Sequence, residues 1–123
     1  MTASLADTTA DIALIDSAVL DQLAEDCGAE MIAVLADGFA EEVTSHLDAI
    51  ASARAAGDGP AASAALHGLR GGALALGLDR LAACIRPLET AAAEGRLPER
   101  DEVAELERLC ARSLAAVRDL GRE

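Results

Sequence analysis

Between Ile32 and Ile50 the apolar side chains return every three or four residues, as Ile32, Leu35, Phe39, Val43, Leu47 and Ile50. This spacing puts the whole set on one face of an α-helix; a strand, with its period of two, cannot bury it on one side. The pattern recurs as Val19, Leu20 and Leu23 near the start, as Leu81, Cys84, Ile85 and Leu88, and as Val103, Leu106, Cys110, Leu114, Val117 and Leu120. Composition points the same way. Hydrophobic residues make up 52% of the 123 and are mostly alanine and leucine, with one Phe and no Trp or Tyr. Alanine and leucine are strong helix formers, whereas the β-branched and aromatic residues that favour sheets are scarce. The chain is expected to be all-α.

Capping residues and turn formers divide the pattern into five helices. Asp16 is a good N-cap and Ile15 before it can staple onto Leu20, which starts a short helix ending near Cys27-Gly28. A second and longest helix is predicted from about Ala29 to Ala56, broken by Asp58-Gly59-Pro60. A third runs from about Pro60 to Leu76, with the proline in a first turn that has no use for its missing donor, and Gly77 ends it. The fourth, about Leu78 to Glu94, contains Pro87, which should bend or open it near Ala83. After a turn over Gly95 to Pro98, the fifth spans about Glu99 to Leu120. Four long amphipathic helices on short turns are most simply accommodated as an antiparallel up-down four-helix bundle, with the short additional N-terminal helix capping one end. Residues 1–11 lack a period and are expected to be a mobile leader, leaving 12–123 as a single domain.

One domain of this size has room for a core but not for a nucleotide-binding kinase domain as well, so any such chemistry must come from partners. The net charge is −12 and all ten basic residues are arginine, without a basic cluster. Nucleic acid and anionic membranes are poor candidates as partners, and soluble proteins better ones. The N-terminus lacks a signal-peptide pattern and no stretch is long enough to span a membrane, so a cytoplasmic location is expected. Cys27, Cys84 and Cys110 are odd in number, widely spaced and without a C-x-x-C pair, and they read as buried thiols. With His46 and His67 they lack the short local spacing of a zinc site, so no metal is expected. The carboxylates of Glu41-Glu42 and Glu99 to Glu107 read as solvated faces.

The stretch His67-Gly68-Leu69-Arg70-Gly71-Gly72 stands apart from this scaffold. At about 100° per residue, Arg70 lies roughly 60° round the helix from His67, Gly71 roughly 40° on the other side, and Leu74 returns to within about 20°. Ala62, Ala65, Leu69, Ala73 and Leu76 gather on the opposite side as a buried stripe, with Leu66 at its flank. His67 is therefore expected to face solvent. Imidazole has a reference pKa of about 6.5, so its neutral, nucleophilic form is available near pH 7. Arg70 could balance charge on an incoming phosphoryl group. Two adjacent glycines each cost up to about 1 kcal/mol of helix propensity relative to alanine and so call for a reason. Gly72 lies toward the buried side, consistent with close packing, while Gly71 faces outward and leaves room for another protein's backbone. No Asp or Glu occupies the turns immediately before and after His67 to serve as a base. His46, on the apolar stripe of the second helix, is expected to be partly buried and structural.

Here the sequence resembles the histidine-containing phosphotransfer (HPt) domains of multistep phosphorelays. Their core pattern is an H-x-L-K-G helix, a small residue and a glycine turn, then L-x-x-x-C-x-x-L-E on the next helix. The matching residues are His67, Leu69, Gly71, Gly72, Gly77, Leu81, Cys84 or its neighbour Ile85, Leu88 and Glu89. Arg70 stands in place of the usual lysine, Leu66 where a small alanine often precedes the histidine, and Pro87 inside the following helix. The resemblance implies that His67 accepts a phosphoryl group from a receiver-domain aspartate and passes it to another, with Arg70 assisting and Leu66, Gly71 and Leu74 touching the partner. It further implies a stoichiometric carrier without a cofactor of its own. The Mg2+ would sit on the partner receiver, and the partners would be response-regulator receivers or a hybrid histidine kinase. A monomer is expected, since no helix face is left apolar and unpartnered. The alternative is a helical module of the same fold that docks a receiver or other protein without being phosphorylated.

Overall fold

The computed structural model describes residues 11–121, which form five helices and no strand. They are α1 (Ser17–Cys27), α2 (Glu30–Ala56), α3 (Gly59–Ala75), α4 (Asp79–Ala93) and α5 (Arg100–Gly121). Residues 1–10, most of the expected leader, lie outside the described residues.

The helix ends are set by capping side chains and by glycines in the turns. The Asp16 carboxylate accepts from the Ala18 amide at 3.1 Å and that of Asp58 from the Ala61 amide at 3.0 Å, satisfying donors that the first turns leave orphaned. Gly57 closes α2 in the left-handed region (φ 67°), and Gly77 turns the chain between α3 and α4 at φ 72°. At the start of α5 the Glu102 side chain reaches back to accept from the Glu99 amide at 2.9 Å.

The four long helices close a ring, α2 on α3, α3 on α4, α4 on α5 and α5 on α2, with α1 resting on α2. Their shared core contains Phe39, Ile50, Leu66, Leu69, Leu81, Ile85, Leu106 and Val117, interleaved with the buried alanines Ala36, Ala53, Ala62, Ala73 and Ala92. Arginines tie the edges. Arg54 Nε donates to the Pro98 carbonyl at 2.8 Å, Arg118 pairs with Asp37 at 2.9 Å, and Arg80 Nε donates to the Ile12 carbonyl at 2.8 Å. The Asp16 amide donates to the Gly77 carbonyl at 2.7 Å, so the N-terminal segment is fastened across the α3–α4 turn.

Three expectations change in detail. α4 continues through Pro87 to Ala93 as one helix, with the proline on its exposed side. Cys27 is exposed rather than buried because it occupies the last position of α1, whereas Cys84 and Cys110 are buried in the core. Burial, with the Glu107 carboxylate nearby, pushes the Cys110 thiol up to about 12, which leaves it protonated and unreactive at neutral pH. Leu120, assigned to the apolar side of α5, is 39% exposed, the buried stripe ending at Val117.

Candidate functional site

α3 has two differently built flanks. Toward α2 it presents glycines. A Cβ on Gly72 would lie 2.8 Å from Phe39 Cε1, and one on Gly68 would lie 2.6 Å from His46 Cε1. Both are closer than side-chain carbons approach, so these positions let the two helices meet nearly backbone to ring. Gly72 thus packs as its position on the wheel indicates. The role of Gly68, seated against the half-buried ring of His46, had no signal in the sequence beyond the residue itself.

Toward α4 the same helix presents polar groups, and all of them converge on one residue. Ser63 Oγ donates to the backbone carbonyl of Glu89 at 3.2 Å. His67 Nδ1 lies 2.7 Å from Glu89 Oε1, and Arg70 Nε donates to Glu89 Oε2 at 2.7 Å. Ser63, His67 and Arg70 are three or four residues apart and so share one edge of α3. The Glu89 side chain is 18% exposed, whereas that of His67 is 70% exposed, so the ring is gripped at its inner nitrogen and open to solvent elsewhere.

The carboxyl group is ionised here. Burial alone would push it up, but the hydrogen bonds from Arg70 and His67, with the positive charge they bring, outweigh burial and hold it below the usual carboxylate range. An ionised carboxylate can only accept. Nδ1 of His67 must therefore carry the proton, and in the neutral ring the lone pair is on Nε2.

Around the imidazole the surface is open. Gly71 is exposed and a Cβ there would meet nothing within 4 Å, and Leu74 is 50% exposed. These two and His67 share the outer face that the helical wheel gives them. Leu66 does not join them. Its side chain is fully buried in the core, so it cannot touch a partner and instead supports α3 from beneath. At the flank of the buried stripe it was open to either side, and the neighbouring helices cover it. Arg70 is also not a free cation, since its Nε is engaged by Glu89.

Glu89 is the residue that sequence reasoning left out of the site, and the expectation of no carboxylate at His67 is corrected by it. The group arrives from the next helix, 22 positions along the chain, through the crossing of α3 and α4. Its one signal was the acidic residue that closes the leucine-cysteine-leucine run of α4. No group of three or more His, Cys, Asp or Glu side chains among the described residues is arranged to hold a metal ion, and no helix among them is long and apolar enough to cross a membrane.

The Hpt domain family model matches residues 34–119, from the first turns of α2 almost to the end of α5. Among solved structures, the crystal structure of histidine-containing phosphotransfer protein B (HptB) from Pseudomonas aeruginosa PAO1 is similar. It has a TM-score of 0.80 and 27% sequence identity, and the match covers 90% of this chain and 96% of that one. A comparison with curated proteins gave no match.

Proposed function

The chain belongs to the Hpt domain family, as a histidine phosphotransfer protein of a phosphorelay, and from that premise we propose that His67 is the residue that carries the phosphoryl group. The observation behind this assignment is an exposed imidazole whose Nδ1 is taken by an ionised carboxylate, which leaves Nε2 directed outward with its lone pair. In the proposed step Nε2 attacks the phosphorus of an aspartyl phosphate on a receiver domain. The N–P bond forms as the P–O bond to the aspartate breaks, and the aspartate leaves as a carboxylate. Nδ1 keeps its proton. The positive charge gained by the ring develops against Glu89, which is already in place to offset it. The same geometry run backwards passes the group to a second aspartate.

Gly71 and Leu74 form the landing surface in this reading, the glycine admitting the partner's backbone and the leucine offering an apolar contact. Response-regulator receivers or a hybrid histidine kinase are the partners, and the receiver holds the Mg2+. This chain, acting as a cytoplasmic monomer, contributes nucleophile and surface and is a stoichiometric carrier rather than an enzyme that turns over alone. The ring of four long helices is read as an up-down bundle. In support, Gly68 and Gly72 meet His46 and then Phe39 in descending order, and α3 ascends as α4 descends from Gly59 opposite Ala92 to Arg70 opposite Glu89.

Mixing with a phosphorylated receiver tests the assignment. An acid-labile, alkali-stable label is expected on the protein and is expected to vanish in His67→Gln while docking survives. Docking without any label on the unaltered protein would favour the unphosphorylated binding module instead.

A further inference from the structure

Arg70 has been placed where a cation could meet the incoming phosphoryl group, yet its nearest-in donor is already committed. Nε is 2.7 Å from Glu89 Oε2, while the other oxygen of the same carboxylate is 2.7 Å from His67 Nδ1. The carboxylate is thus held as a bridge with one oxygen on each partner. Glu89 has rotatable bonds between backbone and carboxylate, and α4 fixes only its main chain, where Ser63 Oγ meets the carbonyl. Without a second tether, a single hydrogen bond to an exposed ring would have to order both side chains, each losing rotamer freedom for one contact. Arg70, itself 27% exposed and one turn along α3 from His67, supplies that tether.

We infer that Arg70 is a positioning residue that acts through Glu89: by anchoring Oε2 it fixes Oε1 on Nδ1 of His67 and so selects the tautomer whose lone pair is on Nε2. An unrestrained neutral imidazole divides its proton between the two nitrogens. Only the molecules with the proton on Nδ1 have an outward lone pair ready for attack, and their share of the population scales the transfer rate. Arginine suits this role better than lysine, because Nε is one of five donors in a rigid fork and holds one carboxylate oxygen in a defined direction, whereas an ammonium is a point charge on a flexible stem. The inference rests on the phosphoacceptor reading for its kinetic consequence, but its effect on the ring is a property of the unphosphorylated protein.

Nitrogen-15 spectra of the imidazole rings at neutral pH, combined with a double-mutant cycle on transfer from a phosphorylated receiver, test it. In the unaltered protein His67 is expected as a single tautomer protonated on Nδ1. Arg70→Met and Glu89→Gln should each give mixed tautomers and slow transfer about tenfold, and the double variant should be no slower than Glu89→Gln alone, because both act along one path. Arg70→Lys should recover part of the tautomer preference. If Arg70→Met left the His67 tautomer unchanged, or if the two losses multiplied to about a hundredfold, the arginine would act on the phosphoryl group directly and the inference would be overturned. Absence of label on the unaltered protein would sink the phosphoacceptor reading, while the ring spectra would still decide the role of Arg70.

Discussion

The two flanks of α3 hold the same helix by opposite means. Against α2 it is held by what is missing: Gly68 and Gly72 bring no side chains, and the rings of His46 and Phe39 fill the space. Against α4 it is held by what is present: Ser63, His67 and Arg70 each bond to Glu89. The first arrangement is steric. The second is polar, and its His67 and Arg70 contacts depend on one carboxylate keeping its charge. Between them lies Gly71, with no neighbour, which is why the exposed ridge can be both rigid and accessible.

The largest effect should come from filling the steric flank. Gly72→Leu would drive a side chain into Phe39, itself buried in the core, and should destabilise the fold by about 3 kcal/mol or more. Urea denaturation reads this directly, and a variant as stable as the parent would mean that the α2–α3 seam is looser than described. Glu89→Gln should be milder, about 1 kcal/mol at neutral pH, for a hydrogen-bonded pair near the surface. The sign of its pH dependence is fixed. Because folding holds this carboxyl below its usual 4.5, the stabilisation is present above that value and is lost as pH falls through the lower, folded-state value. The urea midpoint of the parent should therefore drop toward that of Glu89→Gln as acid is added below about pH 4.5. A constant gap between the two would show that the carboxylate charge does not contribute. The smallest effect belongs to the ridge. Gly71→Ala should raise stability by about 0.5 kcal/mol, since the new methyl meets nothing and the helix gains propensity. A loss there, measured as a lower midpoint, would place an unseen constraint on the open face.

The same contrast explains what could be read from the sequence. Helix positions followed from local chemistry. Asp16 caps, Asp58-Gly59-Pro60 breaks the chain, Gly77 ends a helix, and the observed ends fall within a residue or two of those expected. The outward direction of His67, Gly71 and Leu74 followed from helical period alone. Properties that depend on how two helices cross did not follow. Glu89 reaches His67 only because α4 lies at a particular angle and depth beside α3, and nothing in either segment encodes that distance. Leu66, at the flank of a stripe, could have faced either way until the neighbouring helices covered it. Cys27 was misjudged by residue type, for a free cysteine is commonly buried but the last position of a surface helix leaves it exposed.

Many of the helix contacts in this molecule are made by alanine, including Ala36, Ala53, Ala62, Ala73 and Ala92 in the core. A methyl group has no rotamers to freeze, so ordering those positions costs no side-chain entropy, and neighbouring helices have few alternative ways to repack. A visiting protein therefore meets a surface already in its final shape. Recognition of this chain should resemble two solid bodies finding their fit, with association governed by orientation at encounter rather than by any slow adjustment afterwards.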